Sequence, residues 1–326
     1  MTFKKFKKIA TLFTVATLTL TGCSNLNQSE TDTSSNEDVS VYLILDRGGV
    51  NDESFNQSAW NGAIKAKEEL GVQVKYLEST TDADYAQNIE TAIDMDSDLI
   101  IGVGFNLSEA IENAAKAYPE QQFAIVDGSF EKIPSNVTPI VFNEKEAGYL
   151  AGLAAAKTIE SDKFGFIGGF EIPAVVNYRD GFEQGIKEVN PNAILLTQYA
   201  NSFTDAAKGR VIAEQLISTE GVSCVVASAG GVNAGAIEVC AEKGKYAVAV
   251  DMAQSHISPE TILTSAIKKV DVGVADAISK YISGELKGGA NLNYHIANEG
   301  VDYEQTNLLS DEAIKYVESI KKNYSK

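Results

Sequence analysis

Leu43-Ile44-Leu45-Asp46-Arg47-Gly48-Gly49-Val50-Asn51-Asp52-Glu53-Ser54-Phe55-Asn56-Gln57-Ser58-Ala59-Trp60-Asn61-Gly62 runs from an apolar stretch through a glycine turn into a helical pattern. Strand, tight turn and helix in that order make the first part of a βαβ unit, whose strands pair in parallel beneath covering helices. The helix is read from Ala59, Ala63, Ala66 and Leu70 at i, i+4, i+7 and i+11, and Ala313, Val317, Ile320 and Tyr324 repeat the spacing near the end of the chain. Such spacing lays the four side chains along one buried stripe. Outward from this unit the alternation continues, with strands expected at 39–45, 72–77, 99–103, 123–126, 138–142, 164–167, 194–199, 222–227, 246–250 and 262–267. About ten such units exceed what one open sheet usually holds. The expected fold class is therefore α/β, two-lobed, with a parallel sheet flanked by helices in each lobe.

Parallel α/β sheets bind ligands beyond the carboxyl ends of their strands, so the residues that follow each strand carry the functional reading. Three strands run into an aspartate, Asp46, Asp127 and Asp251, and others run into glycine, at Gly102-Val103-Gly104-Phe105, Gly168-Gly169-Phe170 and Ser228-Ala229-Gly230-Gly231. Taken singly, each Asp reads as an N-cap or turn residue; three at one edge read as a site. A carboxylate accepts two hydroxyl hydrogen bonds at once and so suits a vicinal diol, or it accepts from the N–H or amino edge of a base. The polar groups of 46–62 and the helix start are expected to face the cleft. Phe55 continues the buried stripe, which leaves core packing and ligand stacking both open, whereas Trp60 lies off it and reads as packing. Asn106 with Glu109 and Asn143 with Glu146 have capping-box spacing, and Gly148 and Gly152 suggest close approach of a helix to the sheet.

The ends and the composition set the compartment. Lys4, Lys5, Lys7 and Lys8 precede an apolar run over 9–20 that ends in Leu20-Thr21-Gly22-Cys23, too short for an ordinary membrane span. This resembles a bacterial lipoprotein signal, with residues 1–22 removed and Cys23 lipidated, and two acyl chains suffice for stable anchoring. Residues 23–38 hold few apolar side chains and read as a flexible stalk. Removing four lysines from a formal net charge of −18 leaves −22, a balance that repels phosphate backbones and argues against nucleic-acid binding. Cys224 and Cys240 read as buried thiols. With only His256 and His295 in the chain and no phosphate-cradling glycine loop, catalysis by a histidine triad, a zinc site or a cofactor is not expected.

At 46–56 the sequence resembles the basic membrane protein family of lipoproteins, the purine nucleoside receptor group, whose first motif reads approximately Asp-x-Gly-Gly-x-Asn/Asp-Asp-x-Ser-Phe-Asn. Phe142-Asn143-Glu144-Lys145-Glu146-Ala147-Gly148-Tyr149-Leu150-Ala151-Gly152, Ile167-Gly168-Gly169-Phe170-Glu171-Ile172-Pro173, Gly181-Phe182-Glu183-Gln184-Gly185, Ala229-Gly230-Gly231, Val250-Asp251 and Thr264-Ser265-Ala266-Ile267-Lys268 extend the match in order. The resemblance implies a type I periplasmic-binding fold and an extracytoplasmic, membrane-anchored, substrate-binding protein of an ABC importer. Its partners would be a purine nucleoside, a permease and an ATPase, with the protein itself a monomer. Carried over by position, Phe55 stacks on the base; Asp46, Asn51 and Asp127 read its polar edge; Asp251 and Lys268 hold the ribose; and Gly230 lets the loop backbone approach the sugar. Asp52 and Asn56 of the first motif complete the expected site with Phe105 and Phe170. Val226 stands where relatives often carry Phe, so the second ring is either absent or supplied by Phe170 or Phe105.

By analogy with two-lobed binding proteins, one lobe is expected at 39–128 plus 253–289 and the other at 129–252 plus 290–326. Alternative readings are a sugar or autoinducer receptor, a surface adhesin and a nucleoside hydrolase. The hydrolase needs several carboxylates around one metal, and Gly48 stands where its second early Asp would be; Asp94, Asp96 and Asp98 lack the glycine of a calcium loop.

Overall fold

The computed structural model describes residues 36–324, so the signal segment, Cys23 and all but the end of the stalk lie outside the described residues. That end is tied to the fold: the Asn36 amide donates to the Leu70 carbonyl at 2.8 Å. Strands β1 (Ser40–Leu45), β2 (Gln73–Leu77), β3 (Leu99–Val103), β4 (Gln122–Val126), β5 (Val137–Phe142) and β11 (Leu292–Tyr294) make one sheet in the order β11-β5-β4-β3-β1-β2. Strands β6 (Lys163–Gly168), β7 (Ile194–Tyr199), β8 (Cys224–Ser228), β9 (Tyr246–Asp251), β10 (Ile262–Lys268) and β12 (Val301–Tyr303) make the other, in the order β12-β10-β9-β8-β6-β7. All pairings are parallel except β10 with β12. Central strands such as β3 and β8 are buried along their whole length, as expected where helices cover both faces.

The helices are α1 (Phe55–Leu70), α2 (Asp84–Asp94), α3 (Ser108–Ala117), α4 (Glu144–Thr158), α5 (Pro173–Val189), α6 (Ala206–Ser218), α7 (Val232–Glu242), α8 (Val270–Ile282) and α9 (Asp311–Tyr324). Ala59, Ala63 and Ala66 are buried as the stripe requires, and α1 ends where Gly71 turns left-handed at φ 74°. Small side chains matter most between α4 and α5. A Cβ on Gly148 or Gly152 would meet the Tyr178 or Phe182 carbonyl at 2.4 or 2.5 Å, and one on Gly181 or Gly185 the Lys145 or Tyr149 carbonyl at 2.0 or 2.4 Å. The close approach expected of Gly148 and Gly152 is thus helix to helix, not helix to sheet.

The three expected lobe boundaries are corrected. Strand β5 belongs to the first sheet and β10 to the second, so the chain passes between lobes at Asn143, at Lys269 and between Tyr294 and Val301, not near 128, 252 and 289. The cause is a pair of helix-free links. Residues 127–136 and 252–261 join neighbouring parallel strands without the usual crossover helix, and each gap reads in sequence as the end of a lobe. The Asn106–Glu109 box does not form either, because Asn106 sits in a short 3-10 turn and α3 starts at Ser108. Asn143 does cap α4, accepting from the Glu146 N–H at 3.3 Å, while the Glu146 carboxylate accepts from the Ile296 N–H at 2.7 Å. Cys224 and Cys240 are free and buried. Trp60 packs edge-on against Tyr76, with centroids 4.9 Å apart.

Candidate functional site

Asp46 leaves β1 into the glycine turn, where its Oδ1 accepts from the Gly48 N–H at 3.1 Å and the Asn56 amide at 2.8 Å. A Cβ on Gly48 would stand 2.7 Å from that amide, so the turn needs glycine to let Asn56 reach. Asp52 caps α1 from outside the helix. Its two oxygens accept from the N–H groups of Ser54 (2.9 Å), Asn56 (2.9 Å) and Gln57 (3.0 Å), meeting the orphan donors of a helix start. Burial raises Asp46, and it raises Asp52 to about 6 against the pull of those three donors.

From the same sheet β4 delivers Asp127, and from the other sheet β9 delivers Asp251, both in left-handed backbone at φ 59° and 70°. Non-glycine residues hold that conformation only where the surroundings impose it, often at functional sites. Asp251 is gripped from both lobes: Ser54 Oγ donates to Oδ2 at 2.7 Å, and Tyr178 Oη donates to Oδ1 at 3.2 Å. Lys268, at the end of β10, is 2% exposed at its side chain, and its Nζ lies 2.6 Å from Asp127 Oδ2, 3.5 Å from Glu144 Oε1 and 3.9 Å from Asp251 Oδ1. The same ammonium sits 4.8 Å from the Phe55 ring centroid. Burial alone would lower Lys268, but the three carboxylates outweigh it and hold the ammonium above its ordinary range.

One cation therefore faces three buried acids. Burial pushes Glu144 up to about 7, opposed by Lys268 and reinforced by Asp127, and burial also raises Asp127 against the pull of Lys268. In the cleft wall Asp127 Oδ1 is buried without a hydrogen-bond partner. Unmet acceptors at a cleft favour a ligand that brings N–H or O–H donors.

The cleft formed here is an empty space of about 660 Å³ counted to its open mouth, bounded by Asp46, Asp52, Phe55, Phe105, Asp127, Gly230, Asp251 and Lys268 among the residues expected from sequence. Three expected residues stand elsewhere. Asn51 is exposed on the turn, and Asn56 lies behind Asp46, which it orients. Phe170 packs edge-on against Phe203 at 5.2 Å and faces a neighbouring hollow. The further ring in the cleft wall is Phe203, in the loop after β7, and Tyr178 joins it from α5. Sequence reasoning misses both: it follows the residues at strand ends in Asp or Gly, whereas Phe203 follows β7, which ends in neither, and Tyr178 lies within α5, away from the strand end. Glu144 was read only as part of a motif.

Among the described residues no cluster of His, Cys, Asp and Glu has the arrangement of a metal site, and no helix is long and apolar enough to cross a membrane. Residues 39–326 match the family model described as ABC transporter substrate-binding protein PnrA-like. The chain is 35% identical over 320 residues to a CD4+ T-cell-stimulating antigen of Listeria innocua, covering 91% of this chain and 89% of that protein. It is 33% identical over 329 residues to the ABC transporter nucleoside-binding protein BmpA of Lactococcus lactis, covering 94% and 93%. A solute-binding protein of an Aeropyrum pernix ABC transporter system superposes with a TM-score of 0.79 at 27% identity, covering 87% and 90%. Two parallel sheets facing one cleft are the type I solute-binding architecture, and the chain belongs to the PnrA-like family of ABC transporter substrate-binding proteins.

Proposed function

We propose that this protein captures purine nucleosides in the cleft between its two sheets and passes them, unchanged, to the permease and ATPase of an importer. The observation that carries the reading is the convergence of Asp127, Asp251 and Lys268 with the Phe55 and Phe203 rings on one cleft. A nucleoside has an apolar, flat base and a sugar edge with two adjacent hydroxyls; rings and carboxylates at close quarters satisfy both when water leaves. Phe55 and Phe203 would bracket the base, Asp46 and Asp127 would take its N–H edge, and Asp251 with Lys268 would hold the ribose. The name of the Lactococcus relative, nucleoside-binding, supports the same ligand class. Asn51 and Phe170 have no direct contact in this scheme.

Cys23 would carry the lipid and keep the protein at the outer face of the cell membrane, with residues 24–35 as tether and a monomer as the docking form. At on the order of −0.5 kcal/mol per heavy atom, roughly twenty atoms give about −10 kcal/mol, a sub-micromolar dissociation constant. Mass spectrometry of protein purified under native conditions tests the ligand class. A co-purifying purine nucleoside is the expected result, and incubation with inosine should release no hypoxanthine. A sugar without a base in the cleft, or free hypoxanthine, would overturn the proposal.

A further inference from the structure

Glu304, just beyond β12, does not line the cleft, yet its carboxylate collects the donors of the turn that follows Asp251. It accepts from the Gln254 N–H at 3.1 Å, the Ser255 N–H at 3.2 Å, Ser265 Oγ at 2.7 Å and Ser255 Oγ. Its own backbone is pinned to β10, with Glu304 N–H donating to the Ser265 carbonyl at 2.9 Å and Thr264 Oγ1 donating to the Glu304 carbonyl at 2.7 Å. Thr264 and Ser265 are fully buried, so the carboxylate is anchored to a rigid strand. The turn that it holds grips the peptide just before Asp251 in return: the buried Gln254 amide donates to the Val250 carbonyl at 2.9 Å, and the Met252 N–H donates to the same carbonyl at 2.9 Å.

This arrangement has no counterpart after Asp127. There the turn is held by a single side-chain contact of its backbone, Ser129 N–H to Ser108 Oγ at 3.2 Å, and the aspartate itself is pinned by Lys268. Asp251 lies 3.9 Å from Lys268, too far for a direct hydrogen bond. Ser54 and Tyr178 hold its carboxylate, while its left-handed backbone, at φ 70°, lies between the Val250 carbonyl and the turn that holds that carbonyl. We infer that Glu304 is a positioning residue for the ligand site: by holding residues 252–255 it fixes the backbone and aim of Asp251, and so sets the affinity for the ligand's hydroxyl groups. This rests on the nucleoside reading for its ligand, but not for the clamp itself.

Two measurements decide it. In the ligand-free protein, hydrogen exchange at residues 251–255 should be faster in Glu304→Gln than in the wild type, with α1 and β1 unchanged; equal exchange at 251–255 overturns the clamp. Calorimetry with inosine and with hypoxanthine then reads its consequence. Glu304→Ala should weaken inosine about tenfold and leave hypoxanthine unchanged, with Glu304→Gln between it and the wild type. On an Asp251→Asn background the Glu304→Ala loss should shrink below about twofold, because contacting groups that act through one another are not additive. Equal losses for both ligands, or full additivity, would make Glu304 a merely structural residue and overturn the inference. Should Glu304→Ala fail to fold, Glu304→Gln and Ser255→Ala carry the same comparisons. A wild type that binds neither compound counts against the nucleoside reading, and the exchange result then decides the clamp alone.

Discussion

The two sheets run in the same order, so each strand of the first has a counterpart in the second. At β4 and β9 the counterparts agree: both deliver an aspartate in left-handed backbone at the strand's carboxyl end. Elsewhere at the cleft they diverge. Beyond β1 stand Asp46 and a polar turn, beyond β6 Gly169 and Phe170; β10 ends in Lys268, whereas β5 ends in Phe142. One backbone design therefore presents Asp46, Asp127 and the Phe55 ring from the first lobe, and Asp251, the Phe203 ring, the buried Lys268 cation and close glycine backbone from the second. The cleft is asymmetric in chemistry while nearly symmetric in fold, which is what an amphipathic ligand with two unlike ends requires.

Replacing Lys268, the one buried cation among the described residues, should have the largest effect. Lys268→Met leaves Asp127, Glu144 and Asp251 uncompensated, and stranded buried charges of this kind cost about 3–5 kcal/mol. Urea denaturation at neutral pH should show that loss, with partial recovery as the pH is lowered and the acids take up protons. Wild-type stability would mean that the cluster is not an ion-paired unit.

The matched aspartates come next. Asp127→Asn and Asp251→Asn should each weaken inosine by about 1.5–3 kcal/mol, the scale of a hydrogen bond to a charged group, and titration calorimetry would separate them. If one is silent, the likeness of β4 and β9 ends at the backbone. Phe55→Ala and Phe203→Ala, one ring from each lobe, should each cost about 1–3 kcal/mol through lost stacking on the base. Loss at only one ring would show a one-sided platform.

The smallest effect concerns Glu144, whose carboxyl is pushed up to about 7 by burial from an ordinary 4.5. Between those values the folded protein keeps a proton that the unfolded chain has released, so this group's contribution to stability is present below about 4.5 and lost as the pH rises to about 7. Glu144→Gln should flatten the fall in melting temperature across that window. An unchanged profile would place the titration elsewhere, with Asp46, Asp52 and Asp127 the other cleft acids raised by burial.

Much of this could be read from the chain. The alanine stripe of α1, the apolar strands and the strand-end aspartates follow from local spacing, and local spacing decides them. What could not be read depends on distant partners. Strands β5 and β10 take their lobes from pairing with β4 and β9 across helix-free links, and β11 and β12 are three-residue edge strands without a pattern of their own. Phe203 and Tyr178 line the cleft from a loop and from within α5, and nothing in their neighbours announces that. Asn51 belongs to a motif that does reach the cleft, but the turn points it to solvent.

Everything above depends on a cleft that recognises base and ribose together. Calorimetry of the mature protein with inosine, hypoxanthine and ribose tests this most directly. The expected result is a sub-micromolar constant for inosine, on the order of −10 kcal/mol, and at least about hundredfold weaker binding of either half. Equal affinity for ribose and inosine, or no heat from any purine nucleoside, would contradict it.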